Sequence, residues 1–372
     1  MCRRSVMERP MAPISISRKD EMMAELTPKE RVMRMFRKEP VDMMPFFSGM
    51  GMVLMPAIKE LGYQFPKVHT NAEMMAKSAI ASSRMFGFDS VVVPYDMTCE
   101  SEAIGNTISL YEDSMDILYP TIPEKMWKSM DEVQIPKNIM ELGRMPLVVE
   151  ALKICKKEAP ELALGAWTLG PFTMSGQLLE LDILLKGVFK QKAKVEETLD
   201  KITDMIIKVG QAYQAAGADF ITLREMGTGT DLISPRTWKD MIQPRMRKIL
   251  AAWKSPKVLH ICGATNLIIE MMADCGADAV SVDIKNCLNE SREKIGNDNL
   301  LLGNFDVFAL PCKAETTVEE AVAGIKQNID GTVDAVWPGC DLWPDIKEEN
   351  MRAIVKTARE YGSKPSPAVG RL

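Results

Sequence analysis

A chain of 372 residues can hold two average domains or one large α/β barrel, and its 46% hydrophobic and 26% charged residues give it the usage of a globular enzyme. A net charge of −5 with both signs interspersed leaves no basic face to neutralise phosphates, and no apolar run approaches the roughly 20 residues of a membrane span, so neither nucleic acid nor a bilayer is the expected partner. The eight cysteines (2, 99, 155, 262, 275, 287, 312 and 340) have no short regular spacing and follow no secretory segment, which argues for reduced thiols in the cytoplasm rather than a disulfide framework.

In chain order, residues 1–25 are rich in Arg, Pro and Met without periodicity and read as a disordered extension or an upstream choice of start, not a targeting signal. Thr27-Pro28-Lys29-Glu30 then predicts a capping box with proline at the first helical position, followed by an amphipathic helix to Arg37. Eight short apolar runs come next: Met43 to Phe47, Ser90 to Pro94, Leu162 to Trp167, Phe220 to Leu223, Val258 to Ile261, Ala279 to Val282, Leu300 to Gly303 and Val333 to Trp337. Gly217-Ala218-Asp219 and Gly276-Ala277-Asp278 are turn-like entries to two of them. Helix-length stretches lie between, at Glu73 to Phe86, Met145 to Lys157, Val195 to Ala216, Pro235 to Trp253, Asn266 to Cys275 and Val318 to Ile329.

Strand-helix alternation repeated eight times predicts an α/β fold with one domain over 26–362, a (β/α)8 TIM barrel with an N-terminal helical extension, and a tail at 363–372. A doubly wound open sheet is the alternative. The Pro-, Asp- and Glu-rich insertion from Cys99 to Glu141 would cap one rim. The 29 methionines are expected chiefly as core fillers.

In a barrel, the reactive residues gather at the carboxyl ends of the strands. Asp96 follows the second run, Trp167 ends the third, Glu225 follows the fourth, His260 and Cys262 end the fifth, Asp283 the sixth, Asn304 and Asp306 the seventh, and Cys340 the eighth. His260 and Cys262, two apart in a strand, point to one face and can reach one ion together. With Cys340 they would fill three corners of a zinc tetrahedron and leave the fourth open, as catalytic zinc sites do. The competing reading of a lone buried cysteine is a small hydrophobe, which suits Cys275, Cys287 and Cys312. It suits Cys340, after Gly339 at a strand end, poorly.

Thr27-Pro28-Lys29-Glu30-Arg31 leading to Glu39-Pro40-Val41-Asp42, Phe88-Asp89 with Val93-Pro94-Tyr95-Asp96-Met97-Thr98, Gly170-Pro171-Phe172, Leu259-His260-Ile261-Cys262-Gly263, Gly303-Asn304 and Pro338-Gly339-Cys340 together resemble the uroporphyrinogen decarboxylase superfamily. Within it the chain is most similar to the methylcobamide:coenzyme M methyltransferases, over roughly residues 26 to 362. The resemblance implies a (β/α)8 barrel, Zn2+ on His260, Cys262 and Cys340, and a methylated corrinoid carried by a partner corrinoid protein. It implies methyl transfer from that cobamide to a small thiol such as coenzyme M, by attack of a zinc-bound thiolate. The alternative within the superfamily is the first half-reaction, which takes methyl from an aryl methyl ether or similar donor onto a Co(I) corrinoid protein. A uroporphyrinogen-type decarboxylase fits less well, because the arginine-rich substrate segment expected around Met43 to Met52 reads Met-Met-Pro-Phe-Phe-Ser-Gly-Met-Gly-Met. Asp96, which orients the tetrapyrrole in the decarboxylases, is expected here as a catalytic or metal-supporting pocket residue. The methyltransferases tend to carry Asp-Pro where this chain has Arg224-Glu225. Glu225 is therefore expected as a reversible fourth zinc ligand, as an acid for a leaving oxygen, or as the salt-bridge partner of Arg224.

Overall fold

The computed structural model describes residues 25–362. The 1–25 extension, Glu25 excepted, and the 363–372 tail lie outside the described residues.

Seven parallel strands follow one another around the sheet in chain order: β1 (Ser90–Val92), β2 (Ala163–Leu169), β3 (Phe220–Glu225), β4 (Lys257–Ile261), β5 (Ala279–Val282), β6 (Leu300–Phe305) and β7 (Ala335–Pro338). The remaining apolar run, Met43 to Phe47, closes the ring between β7 and β1. Phe46 forms a parallel bridge with Val336, Val336 N donates to Pro45 O at 2.9 Å, and Asp89 N donates to Phe46 O at 2.8 Å. The run is shorter than a full strand because Pro45 has no N–H to give to a ladder. The arrangement is a closed (β/α)8 barrel, and the open-sheet alternative falls with the closure.

Four of the strand junctions are held by one repeated device. Asp89, Asp219, Asp278 and Asp334 each stand immediately before a strand, β1, β3, β5 and β7 respectively. Their backbone N–H groups donate to the carbonyls of Phe46, Leu164, Lys257 and Leu301 on the preceding strand. Their carboxylates accept from the N–H of those same residues, at 2.8, 2.9, 2.8 and 2.8 Å. Each aspartate so fixes the register of its strand from both sides. Asp89 carries most: its carboxylate, fully buried, also takes Arg31 Nη1 and Arg359 Nη1, each at 2.6 Å, tying the first and last helices to the closing segment.

The helix Pro28–Phe36 plugs the amino end of the barrel, burying Val32, Met35 and Phe36 against Ala163, Phe220, Val258, Ala279 and Leu300 at the strand starts. Thr27 caps it by accepting from Glu30 N, but only half of the expected box forms, because the Glu30 carboxylate turns to Arg34 and Arg37. Higher in the barrel Phe47 meets the Trp337 ring edge-on, centroids 5.0 Å apart. Gly165 is required beside this cluster, since a Cβ there would stand 2.6 Å from the Phe220 ring. The outer helices differ from expectation in two places. Pro235 to Trp253 is interrupted by a π turn at Trp238–Ile242, just before Pro244, whose missing N–H cannot serve the carbonyl of Asp240. In Asn266 to Cys275 only Ile269–Ala273 is helical. No helix among the described residues is long and apolar enough to cross a membrane.

Candidate functional site

Strand pairing sets Arg224 on β3 beside His260 on β4, and His260 beside Ser281 on β5. All three share the parity of Phe220, Val258 and Ala279 and point into the barrel. His260, fully buried, meets Ser281 Oγ through Nδ1 at 2.9 Å and Cys262 Sγ through Nε2 at 3.2 Å. The Cys262 thiol in turn neighbours that of Cys340, from the far end of the chain, closely enough for each to act on the other. The three residues expected to share an ion are thus brought together at the carboxyl rim. Among the described residues no three or more His, Cys, Asp or Glu side chains are spaced to hold a metal ion as they stand. The 3.2 Å contact is tighter than the roughly 3.6 Å edge that tetrahedral zinc would impose between a nitrogen and a sulfur ligand.

Burial and the neighbouring Arg224 charge push His260 down to about 3, so its imidazole is neutral, as a ligand's must be. The two thiols titrate as a pair: contact with Cys340, then burial, raises Cys262, and the same contact lowers Cys340.

Arg224 lies beneath them, fully buried and 4.4 Å over the Trp167 ring. Its Nη2 donates to Asp341, while Nε and Nη1 have no partner among the described residues. The Arg224–Glu225 salt bridge considered from sequence is absent, for a simple reason. Adjacent strand residues face opposite sides, and Glu225 points into the helix layer. There its carboxylate accepts from Phe172 N at 3.0 Å, from Thr173 N at 2.8 Å and from the Thr173 hydroxyl, serving the open amides at the start of the helix Pro171–Leu178. Every hydrogen bond of Glu225 is therefore made away from the thiols.

Burial pushes the Glu225 carboxyl from 4.5 up to about 7 against the pull of these donors. The folded chain then holds a proton that the unfolded chain has released, so stability declines as pH rises from about 4.5 to 7. Glu225→Gln should flatten that decline, read as the difference in urea midpoint between pH 5 and pH 7.5.

Asp96 sits under the wall of a cavity of about 390 Å³ that opens beside Cys340 and is lined also by Tyr95, Tyr119, Lys125, Asp341 and Trp343. Its carboxylate accepts from Arg144 Nη1 at 2.7 Å and from Thr98 N and Oγ1 at 2.9 and 2.7 Å, and meets His69 Nδ1 at 3.3 Å. Burial alone would raise this carboxyl; His69 and Arg144 outweigh it and hold Asp96 well below the usual carboxylate range. His69, Arg144 and Asp341 went unnoticed in the sequence, although His69 is one of only two histidines in the chain. The insertion after Cys99 does roof the site, contributing Tyr119 to Ile122 and Lys125 to the cavity lining.

A closed parallel barrel whose imidazole, paired thiols and buried guanidinium meet at the carboxyl rim, under a roofed cavity, defines the class: a (β/α)8 barrel built as an enzyme. The uroporphyrinogen decarboxylase (URO-D) family model matches residues 27–361. The chain is 32% identical to the methylcobamide:CoM methyltransferase MtaA of Methanosarcina barkeri, over 91% of this chain and 99% of that one. It is 29% identical to MtbA of Methanosarcina acetivorans, also a methylcobamide:CoM methyltransferase, with the same coverage. A solved methyltransferase from Methanosarcina mazei superposes with a TM-score of 0.84 at 30% identity, covering 91% of this chain and 99% of its own. The chain belongs to the uroporphyrinogen decarboxylase family.

Proposed function

We propose that the chain is a corrinoid-dependent methyltransferase that moves a methyl group from a methylated corrinoid, carried by a partner protein, to a small thiol such as coenzyme M. The observation that carries this reading is the meeting of His260, Cys262 and Cys340 at the carboxyl rim, with Cys340 also on the lining of the cavity. Methyl transfer from a cobamide to coenzyme M is also what the names of the 29–32% identical relatives state of them.

The donor set fits zinc: one neutral imidazole and two sulfurs, with the distal ring nitrogen of His260 held by Ser281. Zinc bound there would keep a thiol substrate deprotonated at neutral pH. The protein's own groups do the rest. Arg224 places a fixed positive charge beside the sulfurs, Asp341 anchors it, and Trp167 supports it from below. The Asp96–Arg144 pair stiffens the wall, and the roof from Tyr119 to Lys125 keeps bulk water from the reacting sulfur. Phe308 and Trp343 remain exposed at the mouth, where a corrinoid protein would dock. Ser281→Ala should lower metal affinity about tenfold by releasing the ring orientation of His260, measured by chelator competition.

The aromatic lining, Tyr95, Tyr119, Phe308 and Trp343, favours one second reading, in which the methyl comes from an aryl methyl ether or similar donor and goes onto Co(I). Decarboxylation is poorly served. The segment from Met44 to Met52 buries methionines and phenylalanines and has no cation for four substrate carboxylates. Incubation with methylcobalamin separates the readings: its consumption should require added thiol, and thiol-independent consumption would overturn the proposed direction. A screen of methoxylated donors with reduced corrinoid protein tests the second reading.

A further inference from the structure

Three charged side chains line the cavity beside Cys340: Asp96, Asp341 and Lys125. Both carboxylates are already engaged within the protein, Asp96 by Arg144, His69 and Thr98, and Asp341 by Arg224 and the N–H of Gly51. Lys125 is not. Among the described residues its ammonium makes no hydrogen bond and no ion pair, and Glu180 acts on it only as a charge at longer range. Partial burial holds its pKa below the ordinary lysine value, the signature of a cation that has lost water without gaining a counter-charge.

A second unmet group stands in the same lining. The side-chain oxygen of Gln177 is buried with no partner among the described residues, and a glutamine amide can present its NH2 where its oxygen is drawn. The cavity thus offers one unpaired cation and one free amide among the apolar faces of Tyr95, Tyr119, Leu342 and Trp343. Small-molecule sites are built in this way, with apolar walls for affinity and a few convergent polar groups for orientation.

We propose that Lys125, with the Gln177 amide, takes the anionic end of the small molecule whose reactive end lies at Cys340, and so selects a small organic anion over its neutral counterpart. What lies at Cys340 rests on the methyl-transfer reading; the selection for charge rests on the cavity alone. The anion can be the sulfonate of a short thiol or the carboxylate of an aryl methyl ether. A charge-assisted hydrogen bond in such surroundings is strong enough to set a preference of about tenfold or more.

Calorimetric titration of the full chain tests this with two matched pairs: 2-(methylthio)ethanesulfonate against 2-(methylthio)ethanol, and 4-methoxybenzoate against 4-methoxybenzyl alcohol. In at least one pair the anion should bind tenfold or more tightly than its neutral counterpart, and the pair that shows the preference identifies the source of the anion. The ratio should fall to near one in Lys125→Met and be retained in Lys125→Arg. Ratios near one in the unaltered protein, or a preference that survives Lys125→Met, would overturn the proposal. Thiol-dependent turnover of methylcobalamin is read separately, so anion selection without thiol turnover counts against the methyl acceptor and not against Lys125.

Discussion

Serine in place of Cys340 should lower methyl transfer from methylcobalamin to coenzyme M by about a thousandfold, roughly 4 kcal/mol of transition-state stabilisation, with the fold intact. The fold survives because Cys340 lies on a partly exposed rim and serine is close to it in size. It is not part of the Phe47, Phe220 and Trp337 cluster that fills the barrel. Chemistry fails because serine is a far poorer metal ligand than a thiolate, and two ligands cannot fix a tetrahedral ion. Cys262→Ser should fail equally, and the double variant no more than either single one, because the residues act as a unit. Steady-state rates together with a circular dichroism melt separate this outcome from simple unfolding. A variant that melts with the parent protein and retains more than a tenth of its activity would remove Cys340 from the machinery.

The largest structural effect should come from a residue remote from that rim. Asp89→Ala strips one buried carboxylate from three donors at once: Arg31, Arg359, and the amide of Phe46, with the closing bridge depending on the last. Two guanidinium groups are left short of a counter-charge, and Arg31 is 3% exposed with only Asp42 remaining to pair with it. Breaking a buried pair on one side costs about 3–5 kcal/mol. Urea unfolding should show that loss, and Asp89→Asn, which keeps an acceptor but no charge, should recover part of it. The matched change at Asp278, whose carboxylate accepts from Ser255 and the Lys257 amide and has no buried guanidinium, should cost much less. Equal losses at the two positions would show that strand register, not charge, governs the effect.

All eight apolar runs mark strand positions of the barrel, and the reason is physical: strands of a parallel barrel are covered on both sides and must be apolar throughout. The turn at Gly217-Ala218-Asp219 was legible for the same local reason. Its wider meaning was not, because the fourfold aspartate device shows only once each carboxylate is seen against the neighbouring strand. The closing segment was legible as apolar, but its reduction to one bridge depends on Pro45 and on the hold of Asp89. At the rim, His260 and Cys262 were legible because their period of two is a property of one strand. The surroundings of Asp96 and Arg224 were not. Asp96 meets His69 across 27 residues and Arg144 across 48, and Arg224 meets Asp341 across 117, separations at which a sequence gives no pairing signal. Glu225 shows the limit from the other direction. A carboxylate at a strand end invites a catalytic reading, yet strand alternation turns this one onto the amides of Phe172 and Thr173.

Metal analysis of the purified full-length chain, parent and Cys340→Ser side by side, is the most direct test of a zinc centre on His260, Cys262 and Cys340. The parent protein should carry close to one zinc per chain, and the variant, dialysed identically, close to none. A parent protein without zinc, or zinc unchanged by Cys340→Ser, would contradict the assignment.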